Sequence, residues 1–263
     1  MENGKELFGL IGFPLAHSLS AEYFNEKFRN EGHYEKEYQL FPLSNIDDFP
    51  ALLRNHPKLS GVNVTIPYKE KIIPYLDDLN ETACQIGAVN TIKIIRENEK
   101  IHTIGFNTDA GGFLKTLTDQ IPRGKALILG TGGASKAVAW ALKKSDIRFS
   151  FVSRTNKGPG IISYDELTVE IVQNNKLIIN TTPLGMYPDT EQFPPLPYDG
   201  LTKDHFLYDL IYNPEETRFI KIGRAMNVPT MNGKQMLINQ AELAYEIFRA
   251  KEDFFPYSQV RHP

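Results

Sequence analysis

Three glycines mark one bend in this chain. Lys125–Leu129 reads as a buried strand, Gly130-Thr131-Gly132-Gly133-Ala134-Ser135 follows it directly, and Lys136–Lys143 has the alanine-rich composition of a helix. That spacing suits a strand-to-helix turn that cradles a dinucleotide pyrophosphate. Gly130 permits the tight turn, Gly132 lets the backbone approach the phosphates, and the helix N-terminus offers N–H donors. Ser135 at the third small position makes the match imperfect, and a tight turn with no ligand has the same outline. About 20 residues past the first glycine an NAD site carries an acid for the ribose 2′-hydroxyl. Here the chain reads Ser153-Arg154-Thr155-Asn156-Lys157, with no acid. A guanidinium and an ammonium suit the 2′-phosphate of NADP, which arginine grips with two parallel bonds. Two solvated loop cations are the plainer alternative.

The first 110 residues carry a different chemistry. His17-Ser18-Leu19-Ser20 follows the first apolar run, and two hydroxyls beside a helix start can hold a carboxylate, although Ser20 also suits a simple N-cap. In Gly61-Val62-Asn63-Val64-Thr65-Ile66-Pro67-Tyr68-Lys69, alternation puts Asn63 and Thr65 on one strand face. Such groups need partners, since burying them unpaired costs about 1–3 kcal/mol. Gly87-Ala88-Val89-Asn90-Thr91 and Gly105-Phe106-Asn107-Thr108-Asp109-Ala110-Gly111 add amides, hydroxyls and a carboxylate at further strand edges. Together they describe a pocket that reads hydroxyl groups at the strand ends of an open α/β sheet.

Short apolar runs supply the strands to carry these groups: Lys5–Ile11, Glu37–Leu40, Gly61–Thr65, Asn90–Ile95, Ala126–Leu129, Phe149–Val152, Lys176–Asn180 and Phe206–Asp209. Helical periodicity runs through Ser20–Asn30, Asn45–His56, Asp109–Thr118, Gly133–Lys143 and Pro214–Met226. The alternation predicts parallel βαβ units in an α/β protein. The proline-rich stretch Met186–Lys203 reads as a mobile flap.

Composition excludes several classes. Basic and acidic side chains number 29 and 32, a formal charge of −3. No net basic field draws nucleic acid to the chain. Cys84 is the single cysteine, which rules out an internal disulfide or a paired-cysteine site. His17, His33, His56, His102, His205 and His262 are too scattered to suggest a metal. The longest apolar run, Leu7–Ala16, is too short to span a bilayer, so a soluble, cytoplasmic protein is expected.

The clusters, taken in order, resemble shikimate dehydrogenase. They are Ser-Leu-Ser at 18–20, Asn-Val-Thr-Ile-Pro-Tyr-Lys at 63–69, Ala-Val-Asn-Thr at 88–91 and Asn-Thr-Asp at 107–109. Gly-Thr-Gly-Gly-Ala at 130–134, Ser-Arg-Thr at 153–155 and Asn-Thr-Thr-Pro-Leu-Gly-Met at 180–186 follow. Asp-Leu-Ile-Tyr-Asn-Pro at 209–214 and Gly-Lys-Gln-Met-Leu-Ile-Asn-Gln at 233–240 complete a series that covers essentially the whole chain.

The resemblance implies reversible hydride transfer between a ring alcohol of shikimate and NADP, with Lys69 as catalytic base and Asp109 as its partner. Oxidising a secondary alcohol needs a group to take the hydroxyl proton. A lysine, with an ordinary pKa of about 10.4, needs either a depressed pKa or a shared proton network for this, and Asp109 suits orientation of the same hydroxyl. By the same carry-over Ser18 and Ser20, helped by Tyr212, would bind the substrate carboxylate. Asn63, Thr65, Asn90, Asp109 and Gln240 would read the ring hydroxyls. Gly130, Thr131, Gly132, Gly133 and Ala134 would hold the pyrophosphate, and Ser153, Arg154, Thr155 and Lys157 the adenosine end. Thr181, Leu210 and Gly233 would line the nicotinamide and ribose pocket, with Glu81 also on the cofactor side. Met186 and Met236 read as pocket wall or core.

The implied architecture is a substrate domain of residues 1–108 with 233–263, its C-terminal helices returning to it, and a Rossmann-like NADP-binding domain of residues 109–232. The cleft between them would close on substrate and nicotinamide. The partner is a small molecule, with no nucleic acid or membrane, and the chain is a monomer or homodimer. Four departures from the family pattern stand out. Ala21 replaces a usual proline, Phe24 a usual polar residue and Ser153 a common asparagine, and the second basic residue of the phosphate loop comes early, at Lys157. The stretch from Asn156 to Tyr164 is also short for the helix often found there, which predicts a more open adenosine side. Two other readings are a quinate/shikimate dehydrogenase with broader substrate or NAD use, and a non-catalytic sensor of shikimate-like ligands.

Overall fold

The computed structural model describes residues 5–15, 18–98, 100–154, 158, 160–250 and 260–261. The chain forms two compact units. One runs to Thr108 and resumes at Ala241; the other is the continuous stretch Asp109–Gln240.

In chain order the first unit contains β1 (Glu6–Gly12), α1 (Ser20–Asn30), β2 (Lys36–Pro42), α2 (Phe49–Asn55), β3 (Leu59–Val64), β4 (Asp78–Asn80), α3 (Glu81–Ile86), β5 (Thr91–Glu97) and β6 (Lys100–Phe106). Next come α4 (Thr108–Leu114), β7 (Lys125–Leu129), α5 (Gly133–Lys144), β8 (Arg148–Ser153), β9 (Ile161–Ser163), α6 (Val169–Asn174), β10 (Leu177–Asn180), β11 (Phe206–Asp209), α7 (Arg218–Ala225) and β12 (Thr230–Met231). The last elements are α8 (Lys234–Arg249), within which the chain passes back to the first unit, and β13 (Val260–Arg261).

The first unit's sheet has the order β13-β4-β6-β5-β3-β1-β2. The expected parallel βαβ arrangement holds for β1, which pairs in parallel with β2 and β3, but fails at β5, which is antiparallel to β3 and β6. The cause is local. Glu97 pairs with Lys100, so β5 turns straight back into β6, and Asn98 adopts φ 47° at the turn. This reversal sets Asn63 of β3 directly opposite Thr91 of β5. Side-chain alternation sends Ile11, Val62, Val64 and Ile92 to one core and Phe8, Leu10 and Tyr38 to another. The second core receives Phe24 and Phe28 of α1 and is completed by Ala241, Ala244, Tyr245 and Phe248 of α8. Lys93 Nζ, itself buried, donates to the Phe248 carbonyl at 2.7 Å.

The second unit's sheet is wholly parallel, in the order β12-β11-β10-β7-β8-β9. Numbered from β7, this is the 3-2-1-4-5-6 order of a dinucleotide-binding fold, with its switch point between β7 and β10. The inner strands are buried on both faces, which explains why Ala-Leu-Ile-Leu and Leu-Ile-Ile-Asn are apolar without alternation.

Two expected elements change form. Asn45–His56 is not one helix: the Asn45 side chain accepts the Asp47 N–H above a short 3₁₀ turn, and α2 starts at Phe49 with Pro50 in its first turn. The stretch 186–203 is no loose flap. Leu196 and Leu201 are buried in the core under β10 and β11, and the Tyr198 hydroxyl donates to the Pro194 carbonyl at 2.8 Å. Among the described residues no helix is long and apolar enough to cross a membrane.

Candidate functional site

In the first unit the polar residues of three motifs meet at the end of β3, β5 and β6. Asn63 Nδ2 donates to the Asn90 carbonyl at 3.2 Å and to Thr91 Oγ1 at 3.0 Å. Asn90 Nδ2 donates to Thr108 Oγ1 at 2.9 Å, and Asn90 Oδ1 accepts the Thr108 N–H at 2.6 Å. Thr91 and Thr108 hydroxyls lie 3.2 Å apart, and Asn107 Nδ2 donates to the Ala88 carbonyl at 2.9 Å. All five residues are buried. Each desolvated amide thus finds internal partners, which holds it rigid at the sheet end.

Lys69 follows a turn in which the Tyr68 N–H donates to the Thr65 carbonyl at 2.9 Å. The Tyr68 hydroxyl donates to the Leu43 carbonyl at 2.7 Å, and the Lys69 carbonyl accepts the Val89 N–H at 2.7 Å. The lysine backbone is therefore tied on both sides, one tie being to the loop that carries Asn90. Thr65 is half-buried just past β3, where its methyl closes on Gly12; a Cβ at Gly12 would overlap it. Asp109 is buried in the first turn of α4 and belongs to the second unit, whereas Lys69 belongs to the first.

Capping does not account for Ser20. Leu19 occupies the N-cap of α1 without a side-chain cap, Ser20 is the first helical residue, and Ser18 Oγ accepts the Ser20 N–H at 3.3 Å. Both serines are half-buried, and His17 lies outside the described residues. Phe24, the departure from a polar residue, is buried and stacks on Tyr38. Glu81 is exposed in the first turn of α3, in the first unit, and accepts from Gln85 Nε2 at 3.1 Å. The other cofactor-side candidates all fall in the second unit.

There the glycine turn sits at the switch point. Gly130 has φ +112°, and a Cβ on it would lie 2.8 Å from Thr181 Oγ1, so glycine is required twice over. Thr181 Oγ1 in turn donates to the Leu129 carbonyl at 2.6 Å. Gly132 differs: a Cβ there meets nothing within 4 Å, so the fold does not itself demand glycine. It is the N-cap of α5 and supplies no side-chain cap to the first helical N–H groups. Ser135 is fully buried, with its hydroxyl donating to the Gly132 carbonyl at 2.6 Å, which explains how serine fills the third small position. Open space over Gly132 and an uncapped 12-residue helix fit the pyrophosphate of a dinucleotide. Thr131 is exposed, and Gly133 and Ala134 are the half-buried first residues of α5.

At the end of β8, Ser153 is half-buried and Arg154 exposed; Thr155 and Lys157 lie outside the described residues. Within the short stretch 156–164, residues 161–163 form β9. Burial drives the Tyr164 phenol up to about 12, and the nearby Arg154 charge opposes the rise. On the other side of the switch point, Leu210 N–H donates to the Asn180 carbonyl at 2.9 Å, and a Cβ on Gly233 would overlap the Leu210 backbone. Thr181, Leu210 and Gly233 thus line up along the strand ends of β10 and β11. Asp209 beneath them is fully buried. Burial pushes its carboxyl up to about 6, against the downward pull of the Thr217 hydroxyl, the Ile211 N–H and the Asn180 amide. Tyr212 is half-buried, and burial raises its phenol. Gln240 Nε2 donates to the Leu237 carbonyl at 2.9 Å, and Gly112 of α4 leaves room for its Cβ. Met236 is core, while Met186 is exposed.

Sequence reasoning passed over Thr91 and Thr108 as individual partners, although each stands beside a singled-out asparagine in the motifs. Tyr38, which reaches Asn63, had no signal beyond its place in an apolar strand.

Residues 10–92 match the family model of the shikimate dehydrogenase substrate binding domain. The shikimate dehydrogenase (NADP(+)) of Halothermothrix orenii is 38% identical over 94% of this chain and 92% of its own. Among solved structures, shikimate dehydrogenase from Aquifex aeolicus aligns with a TM-score of 0.82 at 34% identity, covering 97% of this chain and 96% of that one. The Thermus thermophilus enzyme in complex with NADP(H) and shikimate aligns with a TM-score of 0.79 at 31% identity, covering 92% and 93%.

Proposed function

The chain belongs to the shikimate dehydrogenase family, and on that premise we propose that it interconverts shikimate and 3-dehydroshikimate with NADP, as a step in making aromatic compounds. The observation that carries this reading is the closed set of amides and hydroxyls formed by Asn63, Asn90, Thr91 and Thr108 beside the tied-down Lys69. A polyol needs such density, because a site built on hydrogen bonds rejects analogues that leave its groups unpaired.

When bound, NADP supplies the hydride acceptor in one direction and the donor in the other. Lys69 Nζ takes the proton of the reacting hydroxyl as the alcohol is oxidised and returns it on reduction. Asp109 orients that hydroxyl and the lysine. Asn63, Thr65, Asn90 and Gln240 hold the remaining hydroxyls, and Ser18, Ser20 and Tyr212 hold the carboxylate. Gly130 to Ala134 hold the pyrophosphate, Arg154 with Ser153, Thr155 and Lys157 the 2′-phosphate, and Thr181, Leu210 and Gly233 the nicotinamide end. Glu81 takes a lesser part on the cofactor side. Residues 1–108 with 233–263 serve as the substrate domain and 109–232 as the cofactor domain. The enzyme works in the cytoplasm as a monomer or homodimer, without nucleic acid or membrane.

The test is the appearance of NADPH absorbance with shikimate, run beside quinate and with NAD in parallel. Turnover confined to shikimate and NADP is expected. Comparable rates with quinate or NAD would replace the narrow specificity with a broader one, and silence from folded protein that binds shikimate would make it a sensor.

A further inference from the structure

Asn63 has one partner outside every motif of the substrate side. Tyr38 on β2 is buried two strands away from β3, and its hydroxyl donates to Asn63 Oδ1 at 2.8 Å. Tyr38 is fixed from two directions. Its ring stacks on Phe24 of α1, centroids 4.5 Å apart and planes within 6° of parallel. Its backbone is bracketed by Asn25, whose Oδ1 accepts the Tyr38 N–H at 2.9 Å and whose Nδ2 donates to the Tyr38 carbonyl at 2.8 Å. Burial holds the phenol well above its ordinary pKa, so it keeps its proton and stays a donor.

The Asn63 carboxamide can sit only one way round. Nδ2 spends its two hydrogens on the Asn90 carbonyl and Thr91 Oγ1. Turned over, Oδ1 would face the Asn90 carbonyl oxygen, acceptor against acceptor, so the Asn90 carbonyl fixes which end is Nδ2 and leaves Oδ1 to the Tyr38 hydroxyl. Oδ1 therefore keeps one lone pair beyond the one Tyr38 fills. We propose that Tyr38 is a positioning residue of the substrate site, orienting Asn63 so that it offers the ligand an acceptor and selects there for a hydroxyl over a carbonyl or ether oxygen. The inference rests on the shikimate dehydrogenase reading, in which Asn63 meets a ring hydroxyl. It also gives Phe24 a task, as the platform that holds the Tyr38 ring.

Tyr38→Phe keeps the ring, its stacking and its burial, and removes only the donor. Steady-state kinetics with shikimate should show KM raised about tenfold and kcat changed by less than about twofold, with NADPH affinity unmoved. Shikimate analogues that each lack one ring hydroxyl, used as competitive inhibitors, give the decisive readout. For one hydroxyl, its removal should weaken binding several-fold less in Tyr38→Phe than in the wild type, the coupling expected of groups that meet through Asn63. A merely structural tyrosine would lower Tm and the active fraction, moving kcat and leaving KM and the inhibitor ratios alone. An unchanged KM, or equal losses for every hydroxyl in both proteins, overturns the proposal. If Tyr38→Phe does not fold, Phe24→Leu removes the platform but keeps the phenol, and should raise KM by about threefold with kcat kept; an unchanged KM there overturns it equally. A wild type silent on shikimate removes the functional reading and this proposal with it, whereas an active wild type with insensitive variants removes the proposal alone.

Discussion

On the function proposed above, the two units recognise by different means. At the strand ends of the first, the working atoms belong to side chains: Asn63, Asn90, Thr91 and Thr108 are buried and bonded to one another. At the switch point of the second, the working atoms belong to the backbone: a glycine at φ +112°, open space over Gly132, and the uncapped start of α5. A ring with several hydroxyls has to be read by donors and acceptors in a fixed pattern, which only a satisfied side-chain network holds rigid. A pyrophosphate asks for N–H groups and room. One site is damaged by removing a functional group, the other by adding a methyl.

The strongest challenge to that division is Lys69→Ala. Turnover should fall about 1,000-fold while NADPH affinity, followed by fluorescence titration, stays within about twofold. Loss of cofactor binding would move Lys69 to the other side of the comparison. Asp209 asks whether the backbone-built site leans on one buried side chain. Its carboxyl is neutralised more readily in the fold, at about 6, than at its ordinary 3.8. The folded state therefore binds the proton more tightly, and the stability this contributes is full below about pH 4 and lost as pH rises through about 6, about 3 kcal/mol in all. Urea titrations of wild type and Asp209→Asn between pH 4 and pH 7 should diverge by that amount; parallel curves would sink the assignment. Arg154→Ala should weaken NADPH about 30-fold and leave NADH nearly unchanged, the charge-assisted pair being the whole difference between them. Equal loss of both would make Arg154 a general electrostatic contributor. Gly132→Ala is the finest probe. Thermal unfolding should not shift, because the added Cβ meets no protein atom, while NADPH binding should drop by about tenfold as the methyl enters the space left for phosphate. A lower Tm with unchanged binding would show that the glycine serves the fold.

The same division governs what could be read from the sequence. The second unit was legible because its requirements are local: Gly130, Gly132 and the following alanines are adjacent, and unbroken apolar strands such as Leu177–Asn180 announce burial on both faces. α1 runs over Ser20–Asn30 as its period indicates, since Phe24 and Phe28 are spaced to face one core. Pair partners were not legible. That Asn63 stands opposite Thr91 depends on β5 running against β3, and strand direction leaves no trace in alternation. Ser20 looked like a cap because serine suits that position, but Leu19 takes it in the folded chain. Tyr38 reads as one more core aromatic; only the fold shows its hydroxyl reaching an asparagine 25 positions away in sequence. Thr155 and Lys157, read with Arg154 from the sequence, lie outside the described residues.

One feature of the first unit bears on how the protein is made. The core around Phe8, Phe24, Phe28 and Tyr38 is closed by Ala241, Ala244, Tyr245 and Phe248, and the Phe248 ring fills the space that a Cβ on Gly61 would take. The second unit is one unbroken stretch, Asp109–Gln240. On a ribosome that extrudes the N-terminus first, the second unit has all its strands before the first has its last helix. Phe8, Phe24, Phe28 and Tyr38 thus precede the residues that complete their core by the whole length of the second unit. Of the two units, the one whose residues come first in this chain is the one whose core is completed last along it.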